Sequence, residues 1–283
     1  MLIRVPPKAF DPTPPVEHDV DDRRLMAYAG GLGDTSPALF DLDHPGGIVA
    51  HPVFPVCLEW PIMVHGAMGV EFLNGDPLEG MHSGHEITWH RPIRGGERLR
   101  TDGRLLSLTR KRTGVLVLVE LRTVDAAGAP VVTTRESVFY VGAELEGGDV
   151  AAEHEPSPLL PEVDLAEVGG FTVTLVDSVV YSETAQIYNA IHTDIRVARA
   201  AGLPDGPLIA GSATFAHCVS LLSRELLGGD PTPIVRLGCR FAGPVPMPSD
   251  LRVFAGRAGD VIRFEAQTGP GVHAITDGFL TLG

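Results

Sequence analysis

Residues 181–199, YSETAQIYNAIHTDIRVAR, run directly into residues 200–219, AAGLPDGPLIAGSATFAHCV. The stretch sets His192 behind Asn189, then a short helix, a Gly/Pro loop and a second helix opening at Gly211. That order holds an imidazole and a backbone N–H around one small reacting group. A histidine suits proton transfer because it titrates near neutrality. A backbone N–H at a helix start is fixed in place, and the helix dipole there favours developing negative charge. Outward from Gly211, Leu208, Ser212, Phe215, Val219, Leu222 and Leu226 fall on one helical stripe over residues 208–227, which Gly228-Gly229 ends. So apolar a helix needs cover on most sides, and a curved sheet can supply it.

The rest of the chain repeats this plan. Residues 143–168 carry eight acids and no Lys or Arg, with proline and glycine throughout, and read as a linker. The expected division is a half over 1–142, the acidic linker over 143–168, and a half over 169–283 that holds the candidate site. At a constant offset, Tyr28 matches Tyr181 and residues 33–39 (GDTSPAL) match residues 186–192 (QIYNAIH). His65-Gly66-Ala67 matches Ala210-Gly211-Ser212, and Pro92-Ile93 with Leu99 matches Pro244-Val245 with Leu251. Period-2 strands close each half, over 115–123 and 131–141, then 261–268 and 274–282, joined by the turns AAG and GPG. A short apolar helix is expected over 62–73. Helices followed by an antiparallel sheet, twice, make an α+β fold.

These residues resemble the hydratase-2, or MaoC-like, motif of (R)-specific enoyl-thioester hydratases and dehydratases. That pattern reads G-D-x-N-P-hydrophobic-H, then Thr-Asp and an Ala-rich helix. Asn189, Ile191, His192, Thr193 and Asp194 match it, while Gln186 replaces the glycine, Ile187 the aspartate and Ala190 the proline. Residues 81–99 resemble the first-half sheet of the same family. The resemblance implies a double hotdog, two repeats each with a curved antiparallel sheet wrapped around a central helix. It also implies His192 as acid/base, the Gly211 N–H as oxyanion donor, Asn189 orienting water or substrate, and Ser212 adding an N–H or its hydroxyl. The missing aspartate leaves three repairs open. Glu183 would share a helix face with Ile187; Asp34 stands at the equivalent place of the first half; or His192 works alone.

Composition bounds the rest. An apolar fraction of 44% against 20% charged fits a well-cored protein. No apolar run spans a membrane, and the start, MLIRVPPKAFDPTPP, has no signal-like core, so the cytoplasm is expected. Three scattered cysteines make neither a disulfide framework nor a zinc pattern. A net charge of −14 argues against nucleic acid. Residues 91–112 nevertheless carry eight bases against two acids. Arg91, Arg94, Arg110 and Arg112 are candidates for holding an anionic carrier, coenzyme A or acyl-carrier protein, with Ile187 lining the substrate site; a solvated strand face is the plainer reading. His82, His85 and His90 form a histidine run, but odd spacing sets His82 and His85 on opposite strand faces, and no metal is expected.

The expected activity is therefore that of a hydro-lyase on an enoyl- or 3-hydroxyacyl-thioester, with no cofactor beyond the CoA or phosphopantetheine of the substrate. Nothing resembles a dinucleotide or nucleotide phosphate loop. Alternatives are a thioester-binding hotdog protein without catalysis, and a lyase, isomerase or cyclase of a thioester enolate using His192 alone. Neither nucleic acid nor membrane is an expected partner; the reading leaves room for a homodimer.

Overall fold

In the computed structural model, all residues are described except 7, 65–68, 155, 156 and 158. The α-helices among them are α1 (Asp22–Gly31), α2 (Pro37–Phe40), α3 (Val56–Val64), α4 (Leu175–Ala185), α5 (Ile195–Ala200) and α6 (Gly211–Leu226). Two compact units share the chain: Met1–His18 with Leu58–Arg91 and Arg98–Leu159, and Asp19–Cys57 with Pro92–Glu97 and Leu160–Gly283.

In the first unit, Met81–Trp89, Pro130–Val141, Gly114–Asp125 and Glu97–Lys111 lie side by side as antiparallel neighbours. Alternate residues of these strands face inward, so Leu105, Leu108, Val117, Leu121 and Tyr140 form a core with Ile62 of α3. The two longest strands turn at residues 111–114, where Lys111 pairs with Gly114.

In the second unit the order is Ala166–Val173, Ser249–Ala258, Val261–Gly269, Val272–Leu282, Ile234–Phe241, again antiparallel. Helix α6 is buried over most of Ser212–Ser223, with Phe215 stacked on Phe264 at 6.3 Å and His217 on Phe171 at 5.2 Å. The sequence stripe predicts this central helix, and the sheet around it supplies the cover it needs. The fold is the double hotdog.

The internal repeat is visible in backbone detail. Helix α1 is followed by Gly33 at φ +65°, and α4 by Gln186 at φ 58°, so both members of this matched pair are left-handed. The short helix α2, with Ser36 at its N-cap position, matches a one-turn 3-10 helix, Ala190–His192, capped by the Asn189 side chain. Helices α1 and α4 pack together, and the matched Tyr28 and Tyr181 rings meet at 5.9 Å.

Three expectations change. The first-half helix is Val56–Val64 rather than 62–73, because Glu71–Asn74 is extended and pairs with Leu2–Arg4, Ile3 opposite Phe72. The matched His65-Gly66-Ala67 lies outside the described residues. Packing also divides the chain less simply than 1–142 and 169–283, since Asp19–Cys57 joins the second unit. The acidic segment is tied down in part, by Glu144–Leu145 pairing with Leu2–Arg4 and by Val150–Ala151 pairing with Leu108 and Ser107.

Candidate active site

Helix α4 stops where Gln186 turns left-handed, and Ile187 then folds back, its N–H donating to the Ser182 carbonyl at 3.0 Å. Asn189 caps the next turn through its side-chain oxygen, which accepts from Ile191 N–H at 3.3 Å. That turn delivers His192. The Ser178 hydroxyl donates to the His192 carbonyl at 2.8 Å, and His192 Nδ1 donates to the Leu208 carbonyl at 2.8 Å. A carbonyl can only accept, so Nδ1 carries the proton and a neutral ring keeps its free lone pair on Nε2. Burial pushes the His192 pKa below its ordinary value, and the Leu208 carbonyl pulls it back only in part. The ring is therefore an unprotonated base at neutral pH.

The carbonyl that holds His192 lies three residues before Gly211, the first residue of α6. Residues 208 and 209 are pinned in turn, Leu208 by a bridge to Pro246 and Ile209 N–H by the Val245 carbonyl at 3.1 Å. No side chain caps α6, and its first backbone bond runs from Thr214 to Ala210, so Gly211, Ser212 and Ala213 have no intrahelical acceptor. Gly211 also packs tightly. A Cβ there would sit 3.0 Å from the Phe241 ring, so close packing alone favours glycine whatever its N–H does. Ser212 is buried beside the Tyr181 phenol, whose pKa burial raises.

The expected acid partners fare differently. Glu183 is exposed on α4 while Ile187 is buried beyond the left-handed cap, so the helical face meant to join them does not exist. Asp34 spends its carboxylate on a turn, accepting from Ser36 N–H at 2.9 Å. Asp194 caps α5 and pairs with Arg196, which holds its carboxyl at about 2.

Much of the basic run already holds partners. Arg91 pairs with Asp125 at 3.3 Å. Arg94 ties down a loop through the Gly46 and Gly47 carbonyls. Arg104 joins Glu120 at 2.8 Å, and Arg110 reaches the Leu145 and Gly147 carbonyls. Arg112 stands exposed at the 111–114 turn. Arg91, Arg110 and Arg112 belong to the first unit; Arg94 belongs to the second with His192.

The first unit holds a cluster that the sequence reading placed wrongly. His82 pairs with Val138 and His85 with Glu136, with a register shift between His82 and Gly84. That extra residue cancels the odd spacing, since residues 136 and 138 share a face, and it brings His82 and His85 to the same side. His82 Nε2 lies 3.1 Å from His85 Nδ1. Buried Glu59 and Glu136 face the same rings. Burial raises the Glu59 carboxyl to about 8 and, with Glu59 beside it, Glu136 well above the usual range. A glutamate inside the apolar run VCLEWPIMV, and another at a core-facing strand position, were the signals available in the sequence.

Comparison with known proteins agrees with this architecture. Residues 11–134 match the FAS1-like dehydratase domain region, and residues 162–283 match the MaoC-like domain. The chain is 26% identical over 168 residues to peroxisomal multifunctional enzyme type 2 of Drosophila melanogaster, which is 59% of this chain but 28% of that enzyme. A MaoC-like dehydratase from Phytophthora capsici superposes with a TM-score of 0.82 at 20% identity, covering 98% of both chains. A Mycobacterium tuberculosis protein described as a double hotdog superposes at 0.64 and 12% identity, over 95% of this chain and 94% of that one. The chain thus carries a FAS1-like dehydratase domain region in one half and a MaoC-like domain in the other, on a double-hotdog fold.

Proposed function

We propose that this chain is a hydratase or dehydratase of an enoyl- or 3-hydroxyacyl-thioester, carried on CoA or an acyl-carrier protein, with His192 as its acid/base. The observation that carries the reading is the 2.8 Å bond from His192 Nδ1 to the Leu208 carbonyl, which leaves Nε2 basic and ties the ring to the loop that leads into α6. In dehydration, Nε2 takes the proton from the α-carbon. The C–H electron pair moves toward the thioester carbonyl, whose oxygen the Gly211 and Ser212 N–H groups hold. The pair then returns to form the double bond, and the β-hydroxyl leaves as water with the proton that His192 carried. Hydration is the reverse. Asn189 uses its oxygen as a cap, so its amide NH2 is left to orient water.

The reaction needs no redox cofactor. Arg112, exposed at its turn, remains the candidate for an anionic carrier, since the other three arginines named for that role already hold partners. Among the described residues no helix is long and apolar enough to cross a membrane; a cytoplasmic homodimer completes the proposal.

Buried Ile187 favours a second reading, a thioester-binding protein or an enolate lyase, isomerase or cyclase using His192 alone. Incubation with a panel of 2-enoyl- and 3-hydroxyacyl-CoAs, read by mass spectrometry, separates these. Gain or loss of one water, abolished by His192→Ala, is expected. Tight binding with no turnover on any member would replace the first reading by the second.

A further inference from the structure

The geometry points to a divalent metal site in the first unit, built from His82, His85 and Glu136 and oriented by Glu59, that takes a first-row transition cation such as zinc(II). One ligand atom from each residue can be chosen so that all three lie within 4.8 Å of one another. His82 Nε2 is 3.1 Å from His85 Nδ1 and 3.6 Å from Glu136 Oε1, and His85 Nδ1 is 3.7 Å from Glu136 Oε2. A tetrahedral zinc with bonds of about 2.0–2.1 Å has ligand–ligand edges of about 3.3 Å. The imidazole pair is already near that edge, and a turn of the Glu136 carboxylate, whose two oxygens each face one ring, brings one oxygen to the same cation. Two imidazoles and a carboxylate are borderline donors that suit zinc, cobalt or iron better than magnesium or calcium.

Glu59 supplies the independent observation. It is 2% exposed, and among the described residues its carboxylate makes at most a loose contact with the Thr134 hydroxyl. Its Oε2 faces His85 Nε2 at 3.5 Å, on the opposite side of the ring from the proposed ligand atom Nδ1. Histidines that bind metal through one nitrogen commonly donate the other N–H to a carboxylate, which fixes the tautomer and raises ligand basicity. A buried glutamate so weakly satisfied is costly in a neutral core, and this placement gives it a purpose. The strand geometry is local and specific: the extra residue between His82 and Gly84 turns His82 onto the His85 face, and residues 85 and 136 are direct cross-strand neighbours. His82 is 25% exposed, which gives an ion a way in and leaves a fourth corner for water.

The full-length protein, stripped with a chelator, is titrated with zinc chloride by calorimetry and with cobalt(II) by visible absorption. One equivalent of zinc per chain and the intense bands of four-coordinate cobalt are expected. His82→Ala, partly exposed and therefore safe for folding, and Glu136→Gln should each abolish stoichiometric binding. Glu59→Gln should weaken it by about 10–100-fold while preserving stoichiometry, as expected of a positioning partner. His90→Ala, on a ring bonded instead to Thr133, should change nothing. No uptake by the parent protein, uptake of undiminished affinity in folded His82→Ala, or an equal loss in His90→Ala would overturn the assignment.

Discussion

At the scale of single residues, the site turns on which nitrogen of His192 holds its proton. Because Leu208 accepts from Nδ1, removing the ring takes away the base and one hydrogen bond, a small structural loss of about 1 kcal/mol. His192→Ala should therefore lower kcat by roughly 10²–10⁴ on a confirmed thioester while the melting temperature moves little. Turnover within a few-fold of the parent would remove His192 from the mechanism. Ile187 sets the second expectation. With no carboxylate there, and with Glu183 pointing to solvent and Asp34 committed to its turn, water has no second base. Hydration of crotonyl-CoA should be slow, and Ile187→Asp should raise it, at a cost in stability because a buried carboxylate must be paired or protonated. Rapid crotonyl-CoA hydration by the parent protein would show that another acid does the work.

At the scale of elements, what the sequence made legible was what periodicity encodes. The stripe from Leu208 to Leu226 gave the central helix, and period-2 runs with AAG and GPG turns gave the terminal hairpins. Features that depend on one residue of register were not legible. The extra residue after His82 reverses a face, and the left-handed Gln186 ends a helix that Glu183 and Ile187 were expected to share. The pairing of the arginines was hidden because it depends on acids distant in sequence, such as Asp125 for Arg91. Gln186 carries a prediction of its own. A non-glycine residue at φ 58° is sterically disfavoured by about 1–2 kcal/mol, part of which glycine returns through its freer unfolded chain. Gln186→Gly should stabilise the protein by about 0.5–1 kcal/mol in denaturant unfolding, with the slope unchanged. A loss of stability would mean that the Gln186 side chain contributes more than its backbone costs.

At the scale of the whole molecule, the double hotdog concentrates polar groups in its interior, and that should be felt in stability against pH. His51 is fully buried; its Nδ1 accepts from Val53 N–H at 3.1 Å, so Nε2 carries the proton and donates to the Ser220 hydroxyl at 3.1 Å. Burial lowers its pKa from 6.5 to about 4, with Asp34 opposing the shift and His217 reinforcing it. His51 is thus neutral in the folded protein at pH values where the unfolded chain would protonate it. The sign follows from proton counting. Above about 6.5 neither state binds a proton and the stability from the neutral ring is complete; between 6.5 and 4 the unfolded state binds more, so stability falls as pH falls; below 4 both are protonated and the slope vanishes. The full shift corresponds to about 3 kcal/mol, an upper figure because other groups titrate in the same window. His217, half-buried and shifted downward by that burial, adds in the same direction. Unfolding free energies measured from pH 7 to pH 4 should therefore decline, and His51→Gln, which cannot protonate, should show a shallower decline than the parent even if it starts less stable. Parallel slopes for the two proteins would mean that His51 does not couple folding to pH.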